Sequence, residues 1–295
     1  MTSRFNTLLL REWMQHKRGW LITLLAPPII FLALLSFGHA EGNPDASPLG
    51  IALLFVVAST GAVFAIAWLS AMFQLPGLVR RDNQDRSIEF WLSLPAGHSE
   101  SIGATMLAHA VLVPLAALIV GYAFGALIST GLVLKMMGMA GWQAVPWLQV
   151  LGLSVPLLAR ALFGVVLMSL WLAPLMLIVM TASAWLKRWG VPAVALTVGV
   201  GGLVLDKVYG LPVVWQLLDA QQKGAANALL ADHMALESQL SPLLPGGSGD
   251  FSASAWALQD SLVAVQQLAS PHFIGGLIVA AGCFALLVLK RSRSD

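Results

Sequence analysis

The side chains with which this chain could do chemistry are few, and most lie far apart. The six histidines, at positions 16, 39, 98, 109, 233 and 272, show no His-Glu-x-x-His or other metal-ligand spacing. The one cysteine, Cys283, sits in an apolar run. A disulfide within one chain and a cysteine-rich metal site are both excluded. No phosphate-cradling Gly-x-x-x-x-Gly-Lys-Ser/Thr loop occurs, and the glycine-rich stretch at 245–252 contains no lysine. Spacing therefore names no catalytic, cofactor-binding or metal-ligating set. Two isolated groups remain, His109 and Arg160, each in a strongly apolar stretch. An ionisable group at membrane depth is a functional candidate by default. No carboxylate in the apolar runs is available to pair with His109, so the expectation is a neutral, hydrogen-bonded imidazole facing other helices. Arg160 either snorkels to the headgroups or lines a path for an acidic or lipid headgroup. Both residues are carried forward as candidates for a translocation path, and His39 and His272 as interfacial polar anchors.

A second feature is a short polar stretch, RRDNQDRSIEFWLSLPAGHSES, at 80–101. Asn83 or Asp85 can cap a helix start there, and Pro95 ends the helix near Leu94. Ile88, Trp91 and Leu92 share one face at i, i+3, i+4, with Arg86, Glu89 and Ser93 around them. Two turns of helix cannot stand alone in water. The segment must be held by its flanking elements and covered by lipid or by another protein.

The elements that position these residues follow from composition. Of 295 residues, 58% are hydrophobic and 10% charged, against roughly 25% charged in an average soluble domain. Mean hydropathy is +0.81. The fold class is an all-α polytopic membrane protein, and a net charge of +2 gives no reason to expect a nucleic-acid partner. Six apolar segments reach spanning length, roughly 20 residues: 20–38, 50–75, 102–130, 157–186, 190–206 and 272–289, the fifth short and glycine-rich. The first exceeds the roughly 7–15 apolar residues of a signal peptide and is read as a retained span. The stretch 141–160, broken by Pro146 and Pro156, is read as an interfacial or re-entrant piece with Trp142 and Trp147 at headgroup level. With the N-terminus inside, the inner segments hold twelve of the sixteen lysines and arginines and the outer ones three. That split places both termini in the cytoplasm and requires an even number of spans.

The organisation expected is an N-terminal interfacial helix at 1–19, spans one to five over 20–206 with a cytoplasmic helix at 82–95, an outer helical loop at 207–271, and a sixth span with a basic tail at 272–295. In the N-terminal piece Phe5, Leu8, Leu9 and Trp13 share a face flanked by Arg4, Arg11, Lys17 and Arg18. This suits a helix on the inner leaflet with its basic groups toward anionic lipid; the alternative is an extension of the first span. In the outer loop, Leu218, Leu229, Leu236 and Leu240, then Leu258, Leu262, Val265 and Ala269, mark two amphipathic helices that form a cap. Gly121-x-x-x-Gly125 permits close helix contact.

The order of these pieces, with Asp85-Arg86-Ser87-Ile88-Glu89-Phe90-Trp91-Leu92-Ser93-Leu94-Pro95-Ala96-Gly97 after the second span, resembles the permease subunit of a type-2 ABC exporter. The resemblance covers the hydropathy layout and is motif-specific over about 15 residues; a lysine that many members carry about ten residues after the proline is Thr105 here. It implies that Asp85, Arg86, Ile88, Glu89, Phe90, Trp91, Leu92 and Pro95 form the coupling helix that docks on a separate ATP-binding subunit. Two ATPase copies would bring ATP and magnesium, with none of either in this chain, and a second permease chain, identical or paralogous, would complete the complex. It further implies a bacterial inner membrane and export of an amphipathic cargo such as a peptide, a lipid-linked molecule or a drug. The residues alone leave docking and headgroup anchoring by Phe90 and Trp91 level. The alternative function is a secondary transporter, which would need intramembrane carboxylates; a membrane-embedded enzyme would need paired acids or a histidine cluster.

Overall fold

The computed structural model describes residues 2–38, 47–84, 97–232, 234, 236 and 252–293. The described residues form helices joined by short turns. In chain order they are α1 (Thr2–Leu35), α2 (Pro48–Gln84), α3 (His98–Met106), a π-helical segment (Leu107–Leu112), α4 (Val113–Ala144), α5 (Trp147–Leu186), a 3-10 turn (Lys187–Trp189), α6 (Gly190–Tyr209), α7 (Val213–Leu229), α8 (Ala253–Gln266) and α9 (Pro271–Ser292). Among the described residues, five stretches are long and apolar enough to cross a membrane: Arg4–Leu35, Pro48–Val79, His98–Ala144, Trp147–Tyr209 and Pro271–Ser292. The expected fourth and fifth spans both lie in the fourth of these, which has 63 residues. The chain reverses inside it, where Lys187 takes φ 55°, ψ −125° and Gly190 lies against Ser183. A Cβ on Gly190 would stand 2.4 Å from the Ser183 Cα, so the reversal needs glycine there.

In lipid, close packing and interhelical hydrogen bonds hold helices together, because the tails are as apolar as leucine. The α2–α4 pair shows both. A Cβ on Gly121 would fall 3.0 Å from the Thr60 Cα, and one on Gly125 would fall 2.9 Å from the Val56 oxygen. One turn further, Ser129 Oγ donates to the Ala52 carbonyl at 2.9 Å. As α4 numbering rises, its α2 partners fall, so the helices are antiparallel. The Gly121-x-x-x-Gly125 spacing thus marks a real approach of two backbones.

Around α5, α9 runs parallel: Phe273 packs on Trp171 at 5.1 Å between ring centres, Gly276 on Pro174, and Thr181 Oγ1 donates to the Cys283 carbonyl at 3.2 Å. Helix α7 runs antiparallel to α5, with Gly224 against the Trp171 ring and Ala228 against Gly164. The Gln221 amide donates to the Trp171 carbonyl on the same face.

Two expectations require correction. Helix α1 is continuous through residue 19, so the N-terminal piece extends the first apolar helix. Arg4, Lys17 and Arg18 are exposed, but Arg11 and Glu12 are buried and Trp13 is exposed. The buried stripe is Leu8, Glu12, His16, Trp20 and Leu24, at every fourth position; Glu12 meets Thr105 of α3 and His109 of the π-helical segment, and Trp20 and Leu24 pack with Val63 and Ala67 of α2 and Val113 and Ala117 of α4. In α8, Leu258 and Leu262 are exposed and the buried face is Ala253, Trp256, Ala257, Asp260 and Ala264. An ion pair made by Asp260 turns that face inward. In α7 the buried residues are Gln221, Gly224, Ala225 and Ala228, small groups that let the helix sit close to α5.

Candidate functional site

A proline explains why the helix carrying His109 changes its winding. Pro114 has no N–H to give the Ala110 carbonyl four residues earlier, and its ring would crowd that carbonyl. Over Leu107–Leu112 the helix widens to π, with the Val113 N–H reaching the Ala108 oxygen. The stranded Ala110 oxygen accepts instead from Ser169 Oγ of α5, at 2.7 Å. Single π turns recur at functional sites because they re-aim a side chain. Here the re-aimed residue is His109, with no exposed surface.

His109 meets the buried stripe of α1. Nε2 of His109 lies 3.6 Å from Glu12 Oε2, and Nδ1 of His16 lies 3.7 Å from the same oxygen. The two imidazoles stand edge to face, 4.7 Å between centres, and the Trp20 ring closes the far side, stacked on His16 and edge-on to His109. The other carboxylate oxygen, Oε1, is held by Arg11 Nη2 at 2.5 Å and by the Thr105 hydroxyl at 2.9 Å. Arg11 also donates to Ser101 Oγ at 3.3 Å. His16 Nδ1 lies 3.0 Å from the Glu12 carbonyl. Neither ring nitrogen of His109 has a hydrogen-bond partner among the described residues.

The expectation that no carboxylate accompanies His109 is therefore overturned. Glu12 supplies it from the segment that the sequence reading assigned to the membrane surface. The signal was present as the four-residue spacing Glu12–His16–Trp20, but its partners lie about 90 residues away.

The other candidate, Arg160, neither snorkels nor stands alone. Its Nε donates to Asp260 Oδ2 at 2.7 Å and its Nη1 to the Ala228 carbonyl at 2.9 Å. Asp260 also accepts from the backbone N–H groups of Ala231 and Asp232, at 3.2 and 2.9 Å. A cation thus meets the carbonyl end of α7, where the helix dipole favours it, and one carboxylate gathers the chain just beyond. Arg160 also borders a pocket of about 370 Å³, lined mainly by apolar groups including Leu53, Leu157 and Trp256. A second apolar pocket of about 380 Å³ lies between α1, α2 and α4, beside Pro27, Phe31, Phe55 and Ile128. His109 lines neither pocket. His272 is exposed, and His39 lies outside the described residues.

The coupling-helix residues Asp85, Arg86, Ile88, Glu89, Phe90, Trp91, Leu92 and Pro95 also lie outside the described residues. Their chain neighbours do not: α2 ends at Gln84 and α3 begins at His98. No protein-family model, curated protein or solved structure matches this chain.

Proposed function

We propose that this chain is the membrane permease subunit of an ATP-driven exporter of the type-2 ABC kind. In this reading it crosses a bacterial inner membrane six times with both termini inside. It pairs with a second permease, identical or paralogous, and rests on two separate ATPase chains. The observation that carries the reading is the Asp85–Gly97 sequence between two long apolar helices. A helix-in-groove contact needs apolar anchors and a charged rim, and Ile88, Phe90 and Trp91 with Arg86 and Glu89 meet that description. The geometry beside it suits transmission of force. Helix α3 begins right after the segment and is tied to α1 through Arg11–Ser101 and Thr105–Glu12. Displacement of the docked segment would then move α3 and α1 together. The pockets beside Arg160 and Pro27 suit an apolar or amphipathic cargo.

Trp91→Ala tests the reading. A buried interface aromatic costs about 2 kcal/mol or more on truncation, at least about 30-fold in affinity. The variant should insert and fold normally, yet lose the ATPase subunit or its coupling to transport. Glu89→Ala, at the rim, should do much less, since exposed ion pairs contribute about 0–1 kcal/mol. Wild-type association and transport in Trp91→Ala would reduce the segment to a headgroup anchor.

One observation favours a second reading, a carrier driven by an ion gradient: Glu12 lies buried beside two histidines. Co-purification of an ATPase subunit from native membranes separates the two.

A further inference from the structure

We propose that Glu12, His16 and His109 bind a divalent transition-metal ion, zinc foremost, which clamps α1 to the π-helical turn ahead of α4. The inference does not rest on the exporter reading.

Four observations converge. One ligand atom from each residue lies within 4.8 Å of the other two. Two imidazoles and one carboxylate form a donor set that zinc accepts, leaving a fourth position for water. Tetrahedral ligands on zinc stand about 3.3 Å apart; Glu12 Oε2 is already 3.6 and 3.7 Å from the nearest His109 and His16 nitrogens. Closing the site takes small side-chain rotations and the release of His16 Nδ1 from the Glu12 carbonyl 3.0 Å away, because a nitrogen that donates its proton there has no lone pair for the ion.

The carboxylate is divided in the manner a metal site needs. Oε1 takes Arg11 and Thr105, while Oε2 faces the imidazoles. Hydrogen bonds to the far side of a ligand orient it and tune its affinity.

His109 also lacks a partner it ought to have. A neutral imidazole carries one N–H, and a buried N–H without an acceptor costs about 1–3 kcal/mol. Neither nitrogen of His109 finds a hydrogen bond among the described residues. The Glu12 oxygen stands just outside hydrogen-bonding reach, at a separation that suits an ion between the two groups. Finally, the residue sits in the one π-helical turn among the described residues, a deformation that turns this ring toward α1. Arg11 opposes the cation, so the site is expected to be reversible, with the ion exchanging under chelation.

The test uses the full chain in lipid nanodiscs, purified on a tag without histidine. Zinc and cobalt are titrated, and bound metal is counted by elemental analysis. The expected result is about one ion per chain, with a cobalt absorption spectrum of the tetrahedral type. His109→Gln should abolish binding, and Thr105→Val, which removes no ligand, should weaken it about 10- to 100-fold. Should His109→Gln fail to fold, the unaltered protein still decides. Chelation should lower its Tm, and one equivalent of zinc should restore it. No saturable binding, binding unchanged in a folded His109→Gln, or a Tm indifferent to chelator would each overturn the site. In the last case the cluster would hold protons only.

Discussion

Removing the Asp260 carboxylate leaves the Arg160 guanidinium buried without its counter-charge, and strips the Ala231 and Asp232 N–H groups of their acceptor. Breaking one side of a buried ion pair costs about 3–5 kcal/mol. Asp260→Ala should therefore unfold at clearly lower temperature in detergent. Replacing both partners by apolar groups, Arg160→Met with Asp260→Leu, removes the stranded charge and should recover much of the loss. A double variant as unstable as the single one would show that the N–H contacts, and not the charge, dominate. Residues 160 and 260 are one hundred positions apart and of opposite sign, but nothing in either local sequence pairs them.

At the scale of elements, the α2–α4 seam depends on two missing side chains. The atoms that a Cβ would strike at Gly121 and Gly125 are mostly backbone, which cannot step aside. Gly125→Leu should cost about 3 kcal/mol through forced separation of the helices, read as a fall in Tm and in folded yield. Gly61→Leu is the matched control on α2. A Cβ there meets nothing within 4 Å, so that variant should stay close to the parent. Equal losses in both would mean that helix approach is not what Gly125 secures. The π turn before Pro114 belongs to the same scale. It was not readable as a span boundary or a break, because Ser169 on another helix takes up the carbonyl that the proline abandons.

For the whole molecule, the proposed topology turns on the lysine and arginine distribution. A cysteine placed at Ser248 should react with a membrane-impermeant reagent in intact spheroplasts, and one at Ser3 should react only after lysis, with Cys283 replaced by serine in both. The opposite pattern, or an odd number of crossings, would defeat the topology and with it the docking of Arg80–Ser101 on a cytoplasmic partner. On the single helix from Thr2 to Leu35, Arg4, Lys17 and Arg18 are exposed, whereas Arg11, also counted among the inner charges, is buried against Glu12 and Ser101.

The all-α character and the apolar stretches were legible in the chain itself, because bilayer thickness and helical rise impose lengths that composition alone reveals. Gly121 and Gly125 were legible as small residues, though not as a contact between α2 and α4. Which face each helix buries was not legible. Leu258 and Leu262 formed the more apolar stripe of α8, yet the attraction of Arg160 on α5 for Asp260 decided which face turned inward. The meeting of Glu12 and His16 with His109 lay further out of reach. Spacing along a chain reports only neighbours within one helix, whereas this cluster is made by the crossing of α1 with a turn of helix that Pro114 and Ser169 together unwind.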